Sequence, residues 1–130
     1  MNHDISAAPR VFVSAVVVAC TNPTLVATFW HRLLGGELVV WEQFGVVALR
    51  APGITFDFAT STDEKTLKNR WHLDIASDDP ANTIATALEM GATIAADFAA
   101  SDGHTVLRDP EGNEFCVLHH GASLPWEPPS

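Results

Sequence analysis

Basic residues are scarce in this chain. Seven lysines and arginines stand against 16 aspartates and glutamates, which gives a formal net charge of −9 over 130 residues. The seven cations are scattered along the sequence, whereas a protein that binds nucleic acid usually gathers them into one patch or stripe. An acidic surface mainly keeps a protein soluble, so we expect neither nucleic acid nor a membrane as a partner.

Cysteine is also rare, with two residues, Cys20 and Cys116, and no Cys-x-x-Cys pair. This usage is typical of a reduced, cytoplasmic protein rather than a disulfide framework. No apolar run approaches the roughly 20 residues that a membrane-spanning helix needs. The run that ends at Ala19-Cys20 is similar to a secretion signal, but Asp4 and a single Arg10 precede it, and we expect it to form a strand.

Two common catalytic motifs are missing. The sequence has no Gly-rich phosphate-binding loop and no Gly-x-Ser-x-Gly turn, which argues against nucleotide transfer and serine hydrolysis. Apolar residues make up 47% of the chain and charged residues 18%, as in ordinary globular proteins. The length suits one domain, and we predict that residues 1–130 form a single domain.

The chain contains an internal repeat whose offset drifts between 56 and 59 residues. Val18-Ala19 and Asn22-Pro23 return as Ile75-Ala76 and Asp79-Pro80, and Gly35 returns as Gly91. Later, the segment 49–53 (LRAPG) returns as 107–112 (LRDPEG), with one inserted residue. One structural unit is therefore used twice.

The repeated unit is predicted to be strand, helix, strand, strand, strand. Each copy opens with an extended run, Val11 to Cys20 or Trp71 to Ala76. Asn-Pro or Asp-Pro then begins a helix, and a glycine ends it. Short strands follow near 37–42, 44–51 and 54–60, and again near 93–98, 104–108 and 114–119.

The repeat predicts an α+β fold of two βαβββ modules in tandem, in which a curved mixed sheet surrounds a cleft and the helices lie outside. The first module covers about 10–60 and the second about 71–120, joined by a polar linker, 61–70. A Pro-rich tail, 121–130, follows.

Several short motifs, in this order and spacing, give the chain a family resemblance. They are Asn22-Pro23 with Phe29-Trp30, Leu34-Gly35-Gly36, Trp71-His72-Leu73-Asp74, Met90-Gly91-Ala92, and the run from Arg108 to Cys116. Over residues 11 to 120 the chain resembles the vicinal oxygen chelate superfamily of glyoxalases, bleomycin-resistance proteins and extradiol dioxygenases. It looks most like the small bacterial glyoxalase-like branch. The resemblance implies a small organic ligand and a homodimer, which in some members exchanges cleft elements.

Strand alternation separates the residues that face the core from those that face the cleft. Apolar faces are expected to pack under the helices: Trp71, Leu73 and Ile75; Phe115 and Val117; Phe56 and Phe58. The mixed faces are expected to line the cleft. The candidate cleft residues are Ala15, Trp41, Asp57, His72, Asp74, Glu114 and Cys116. If Asp57 meets His72, the pair is a candidate catalytic acid–base couple.

The resemblance also implies where a metal would bind. In metal-using members the ligands occupy the positions that correspond to Ala15, Asp57, His72 and Cys116. Alanine cannot coordinate, so we expect no cofactor and a metal-free cleft. The alternative is a divalent metal, zinc by its preference for sulfur, on Asp57, His72 and Cys116. A structural role for His72 and Cys116 is equally open.

Three functions follow. The first is a glyoxalase-like small-molecule-binding protein or enzyme with a metal-free cleft. The second is a metal-dependent lyase, isomerase or dioxygenase, in which the metal would bind neighbouring substrate oxygens. The third is a non-catalytic dimeric interaction domain. An enzyme of this kind would be a lyase, an isomerase or an oxidoreductase.

Overall fold

The computed structural model describes residues 13–62, 65–67, 69, 71–96 and 103–119. The first module contains β1 (Val16–Cys20), α1 (Pro23–Leu34), β2 (Glu37–Trp41), β3 (Val46–Ala51) and β4 (Ile54–Thr60), with a 3₁₀ turn at Glu42–Phe44. The second contains β5 (Leu73–Ile75), α2 (Pro80–Glu89), β6 (Thr93–Ile94), β7 (His104–Arg108) and β8 (Glu114–Leu118). The predicted α+β class and the two tandem βαβββ modules are confirmed.

The strands form two four-stranded sheets with equivalent connectivity. The strand order is β1-β4-β3-β2 in the first sheet and β5-β8-β7-β6 in the second. In each module the first and last strands run parallel, and the remaining pairs are antiparallel. In both modules, therefore, the opening strand lies at one edge of its sheet.

Some strands are shorter than the sequence predicts. Residues 13–15 are described but lie outside β1, while Val11 and the Pro-rich tail fall outside the described residues. The ladder between β5 and β8 begins only at Leu73. Trp71 precedes that ladder and is 87% exposed, so the prediction that it packs under a helix is wrong.

Both helices begin as the repeat predicts. Asn22 Oδ1 accepts a hydrogen bond from the Leu25 N–H at 3.1 Å, and Asp79 Oδ1 accepts one from the Asn82 N–H at 3.2 Å. A proline occupies the first turn of each helix. An N-cap oxygen satisfies a free backbone donor, and proline has no N–H that would need a partner there. Neither described helix is long and apolar enough to cross a membrane.

One aromatic cluster joins the two modules. The ring centroids of Trp30 and Phe115 lie 4.8 Å apart, and those of Phe29 and Phe115 lie 6.0 Å apart. Trp30 also stacks on Phe56 at 6.3 Å. Such ring pairs add to the stabilisation that comes from burying the side chains. Side chains of α1 therefore pack against both sheets.

Gly36, which follows α1, lies in close contact with the backbone of β3. Its φ is +94°, and a Cβ at this position would lie 2.8 Å from Ala51 Cα and against the Arg50 carbonyl oxygen. The neighbouring Gly35 has a φ of +78° and open space around it. We expect Gly35→Ala to lower the free energy of unfolding by about 1–2 kcal/mol through backbone strain alone. Gly36→Ala should cost at least about 2 kcal/mol more, because backbone atoms must move.

Urea denaturation of the two variants and the wild-type protein measures this difference. Equal losses in both variants would show that the close approach of Gly36 to β3 does not contribute.

Candidate functional site

A cavity of about 940 Å³ lies where the two modules meet. Its walls come from β1, α1 and β4 of the first module, from the linker, and from β5 and the turn between β7 and β8. The lining includes the partly exposed apolar side chains of Val16, Val18 and Leu73, and the almost fully buried rings of Trp30, Phe56 and Phe58.

The turn between β7 and β8 is organised by a buried carboxylate, Asp109, which is 3% exposed. Its oxygens accept hydrogen bonds from the backbone N–H of Glu111 at 2.9 Å and of Asn113 at 3.0 Å, and from the Asn113 side chain. The indole N–H of Trp30 donates to Asp109 Oδ2 at 3.0 Å. A buried carboxylate is costly without such donors, so these bonds fix the turn and the indole at the cavity wall.

Glu111, in the same turn, ties the second module to the first. Its two carboxylate oxygens accept hydrogen bonds from the backbone N–H of Thr21 at 2.7 Å and of Asn22 at 2.6 Å. These donors lie just before α1, where a negative charge is favourable to the helix dipole. Hydrogen bonds to a charged acceptor are among the stronger ones, so this contact fixes one end of the cavity.

Cys20 is a buried thiol next to this contact. Burial, followed by the negative charges of Glu111 and Asp109, raises the pKa of Cys20 to about 12. The nucleophilic form of cysteine is the thiolate. Cys20 is therefore protonated and unreactive at neutral pH.

Glu114 attaches the linker to the cavity wall. Its buried carboxylate lies 3.1 Å from Lys65 Nζ and accepts a hydrogen bond from the Asn69 N–H at 3.2 Å. The Asn69 side chain donates to the Glu114 carbonyl oxygen at 3.2 Å. Burial by itself raises the pKa of Glu114, but the hydrogen bonds from Lys65 and the backbone and the Lys65 charge outweigh it, so the pKa lies below its ordinary value of 4.5.

Two of the predicted cleft residues, His72 and Glu114, line the cavity. Asp57 belongs to the first sheet, where it pairs with Val17 and Ala48, and is not among the lining residues. That Asp57 and His72 form an acid–base couple remains a prediction.

The other predicted cleft residues are not among those that line this cavity. Asp74 and Cys116 face each other in the β5–β8 ladder. Ala15 precedes β1, and Trp41 ends β2, the strand at the opposite edge of the first sheet from β1.

The described residues do not fit the metal site that the resemblance implied. Among them, no three His, Cys, Asp or Glu side chains are grouped so that they could hold a metal ion. In addition, burial, followed by the charge of Asp74 and a hydrogen bond to it, raises the pKa of Cys116. In the metal-free protein, Cys116 therefore favours its thiol form. Asp57, His72 and Cys116 therefore do not form a ligand set in this part of the chain.

Several lining residues were not predicted. The linker contributes Lys65, Leu67 and Asn69, and its polar sequence gives no signal of this role. The assignment of Trp30, Phe56 and Phe58 to the core is confirmed by their burial, and these rings also lie at the wall of the cavity.

The two carboxylates of the turn between β7 and β8 can be recognised by comparing the two copies of the repeat. Where the first copy has Ala51-Pro52-Gly53, the second has Asp109-Pro110-Glu111-Gly112. Both carboxylates of the turn are thus differences between otherwise matching segments. A comparison of the two copies could have found them.

Comparison with known proteins assigns the fold to a family. The family described as "Glyoxalase-like domain" matches residues 15–118, and the chain belongs to it. The resemblance to the superfamily of glyoxalases, bleomycin-resistance proteins and dioxygenases is thereby confirmed. A search of curated protein sequences finds no match to this chain.

Solved structures support the same assignment. A glyoxalase/bleomycin resistance protein from Albidiferax ferrireducens is 26% identical with a TM-score of 0.61, over 83% of this chain and 98% of that one. The fosfomycin resistance protein FosX from Listeria monocytogenes has a TM-score of 0.67 at 11% identity, over 87% of this chain and 92% of that one. A variant of FosX has been solved with Mn(II) and 1S,2S-dihydroxypropylphosphonic acid.

Glu114 predicts a specific acid dependence of stability. Because the pKa of Glu114 is lowered in the folded state, its contribution is complete above the ordinary value of 4.5 and is lost as pH falls through the folded value. Glu114→Gln should lower the free energy of unfolding by about 1–3 kcal/mol at pH 7, since Lys65 loses its charged partner. The difference between variant and wild type should shrink as pH falls below 4.5.

Urea denaturation at pH 7, 5, 4 and 3 tests this, with Glu89→Gln at the exposed end of α2 as the control. A difference that stays constant across this pH range would contradict the role assigned to the Glu114 carboxylate.

Proposed function

We propose that the protein binds a small organic molecule in the cavity between its two modules, and that it does so without a metal. The lining is the observation that supports this proposal. Ligand pockets typically measure about 300–1,000 Å³ and have mainly apolar walls with a few placed polar groups. The cavity of about 940 Å³ combines the partly exposed apolar side chains of Val16, Val18 and Leu73 with the polar side chains of Asn69, His72 and Asn113.

Binding rather than covalent catalysis is the function that this lining favours. Both cysteines are free and buried, and their pKa values are raised. Neither is therefore an activated nucleophile. His72 is a lining residue whose imidazole can form a hydrogen bond with a ligand. A metal-dependent reaction would require ligands that the described residues do not bring together. Free thiols are also consistent with the cytoplasmic location that we propose.

Filling the cavity should abolish binding. Val17 lines the cavity and is 66% exposed, while Ile94 on β6 is 47% exposed and is not a lining residue. We expect Val17→Trp to weaken the binding of Nile red at least tenfold, because the indole occupies the space that the dye would use. Nile red is a neutral dye whose fluorescence increases in apolar surroundings, so a fluorescence titration measures its dissociation constant.

Ile94→Trp is the matched control, since it adds the same side chain at an exposed strand position outside the cavity. Equal affinity of Nile red for the two variants, or no binding to the wild-type protein, would contradict a binding site in this cavity.

We further propose that the protein forms a homodimer. Val40 and Trp41, at the end of β2, and Phe44, in the turn that follows, are exposed, Phe44 at 68%. β2 is an edge strand of the first sheet. Edge strands present unpaired backbone groups, and exposed apolar clusters are typical of interfaces. A second copy, related by a two-fold axis, would cover both features.

Light scattering after size-exclusion chromatography tests the dimer. The wild-type protein at micromolar concentration should have twice the 14.0 kDa mass of one chain. Val40→Lys should shift it to the monomer, because a charge at the interface must be desolvated. Leu88→Lys on α2, which is also exposed, should remain dimeric. A monomeric wild-type protein would contradict the proposal.

A further inference from the structure

The strand β1 is an edge strand of the first sheet and also a wall of the cavity. It pairs with β4 on one side. Within the ranges that the structure describes, no strand pairs with its other side. Four of its five residues, Val16 to Ala19, line the cavity. A ligand in the cavity therefore lies next to a strand with one open edge.

The hydrogen bonds around β1 show which of its backbone groups lie at the open edge. Neighbouring residues of a strand direct their N–H and C=O groups to opposite sides. The Cys20 carbonyl oxygen accepts from the Ser61 N–H at 2.7 Å, on the β4 side. Val18 shares this side because it lies two residues earlier. The N–H and C=O groups of Val17 and Ala19 therefore point away from β4, and none of the described residues forms a hydrogen bond with them.

The next residue in this alternation, Thr21, shows where the open edge points. Its N–H donates to a carboxylate oxygen of Glu111 at 2.7 Å, from the first module to the second. Both residues line the cavity. The N–H groups of Val17 and Ala19 precede that of Thr21 in the same row, with about 6.6 Å from one to the next. This row of donors is therefore directed towards the second module, across the cavity.

The sequence of β1 lacks the features by which proteins usually protect an open edge. Edge strands are commonly very short, charged, interrupted by proline or covered. β1 has five residues, VVVAC, without a charge or a proline. The other open strand at the cavity, β5, has three residues with Asp74 at its centre, β6 has two residues, and β2 carries Glu37. Of these edges, that of β1 is the one suited to accept a further strand.

The space beside β1 limits the strand that can be added. The cavity measures about 940 Å³ and is bounded by the linker and by the turn between β7 and β8. The row of free donors ends at Thr21, whose N–H is already bonded to Glu111. A short extended segment suits this length, whereas a long strand of another protein would meet that contact. Exposed apolar side chains of the wall, Val17, Leu67 and Trp71, are available to its side chains.

We infer that the cavity binds short peptides in an extended conformation, which add to β1 as a further strand. This inference rests on the proposed binding function and specifies its ligand class. The peptide backbone exchanges hydrogen bonds with Val17 and Ala19. When a strand is added to a sheet edge, main-chain hydrogen bonds provide affinity, and alternate side chains provide specificity.

A capped tetrapeptide, acetyl-Thr-Val-Thr-Val-methylamide, tests this inference by calorimetric titration. Its β-branched residues favour an extended backbone. The matched ligand carries N-methyl groups on both central residues. Because alternate N–H groups of a strand face its neighbour, one of these methyl groups faces β1 in either register. We expect the methylated peptide to bind at least tenfold more weakly, although it is the more apolar of the two.

Hydrogen exchange followed by NMR locates the bound peptide. In the free protein, the N–H groups of Val17 and Ala19 should exchange faster than that of Val18, which is bonded to β4. Saturating tetrapeptide should slow the exchange of Val17 and Ala19 at least fivefold. Slow exchange of both groups in the free protein would show that another segment or a second copy already covers the edge, and it would overturn the inference.

Val17→Pro removes one N–H of the open row, which the ladder with β4 does not use. It should weaken binding of the tetrapeptide at least fivefold. Ile94→Pro is the matched control. The neighbouring Ala95 N–H donates to the Val106 carbonyl oxygen at 2.9 Å, so the Ile94 N–H points to the open side of β6, outside the cavity. This variant should bind the tetrapeptide as the wild-type protein does. If Val17→Pro fails to fold, the methylated peptide and hydrogen exchange still test the inference.

The outcomes separate the two proposals. If Nile red binds in the cavity and the tetrapeptide does not bind, or binds no better than its methylated form, the ligand class is overturned and the binding function stands. Dye binding that is unaffected by Val17→Trp would overturn the binding site itself. If neither Nile red nor the tetrapeptide binds, both proposals are overturned.

Discussion

The hydrogen bonds of the Asp109 carboxylate hold together the parts of the molecule that define the cavity. A buried carboxylate costs several kcal/mol unless donors surround it, and here the donors come from its own turn and from Trp30 of the other module. The position of the Trp30 ring, and through it the contacts with Phe56 and Phe115, therefore depends on this carboxylate. The hydrogen bonds of Asp109 and the packing of the aromatic rings are therefore coupled through Trp30.

A glyoxalase-like fold is built from two copies of one unit, yet its cavity is not symmetric. The first copy has Ala51-Pro52-Gly53 where the second has the carboxylate-bearing turn. Glu114 lies on the side of the second module that contacts the linker, where Lys65 pairs with it. Among the residues that the structure describes, the charged groups of the two modules thus differ although their backbones are repeats. Specificity in such a protein arises from a few substitutions in loops, while the repeated strands and helices supply the scaffold.

Local patterns in the sequence were sufficient for the elements but not for the site. The caps at Asn22 and Asp79 and the buried alternation of Phe56 and Phe58 depend on near neighbours, and the structure confirms them. Lys65 and Glu114 are 49 residues apart, and a polar linker has no periodicity from which such a contact could be inferred. Alternation also assigns each strand residue to one face of a sheet. The cavity follows the edge of β1 and includes residues of both faces, so the predicted cleft residues overlap with its lining only at His72 and Glu114.

The contact between Glu111 and the segment before α1 makes the two halves of the chain non-interchangeable. The donors, Thr21 and Asn22, belong to the first half of the chain. The acceptor, Glu111, is the residue that the second copy of the repeat has in addition. Two first halves would meet without an acceptor, because the corresponding turn ends at Gly53 without a glutamate. Glu111 therefore favours the contact of a first half with a second half over the contact of two first halves.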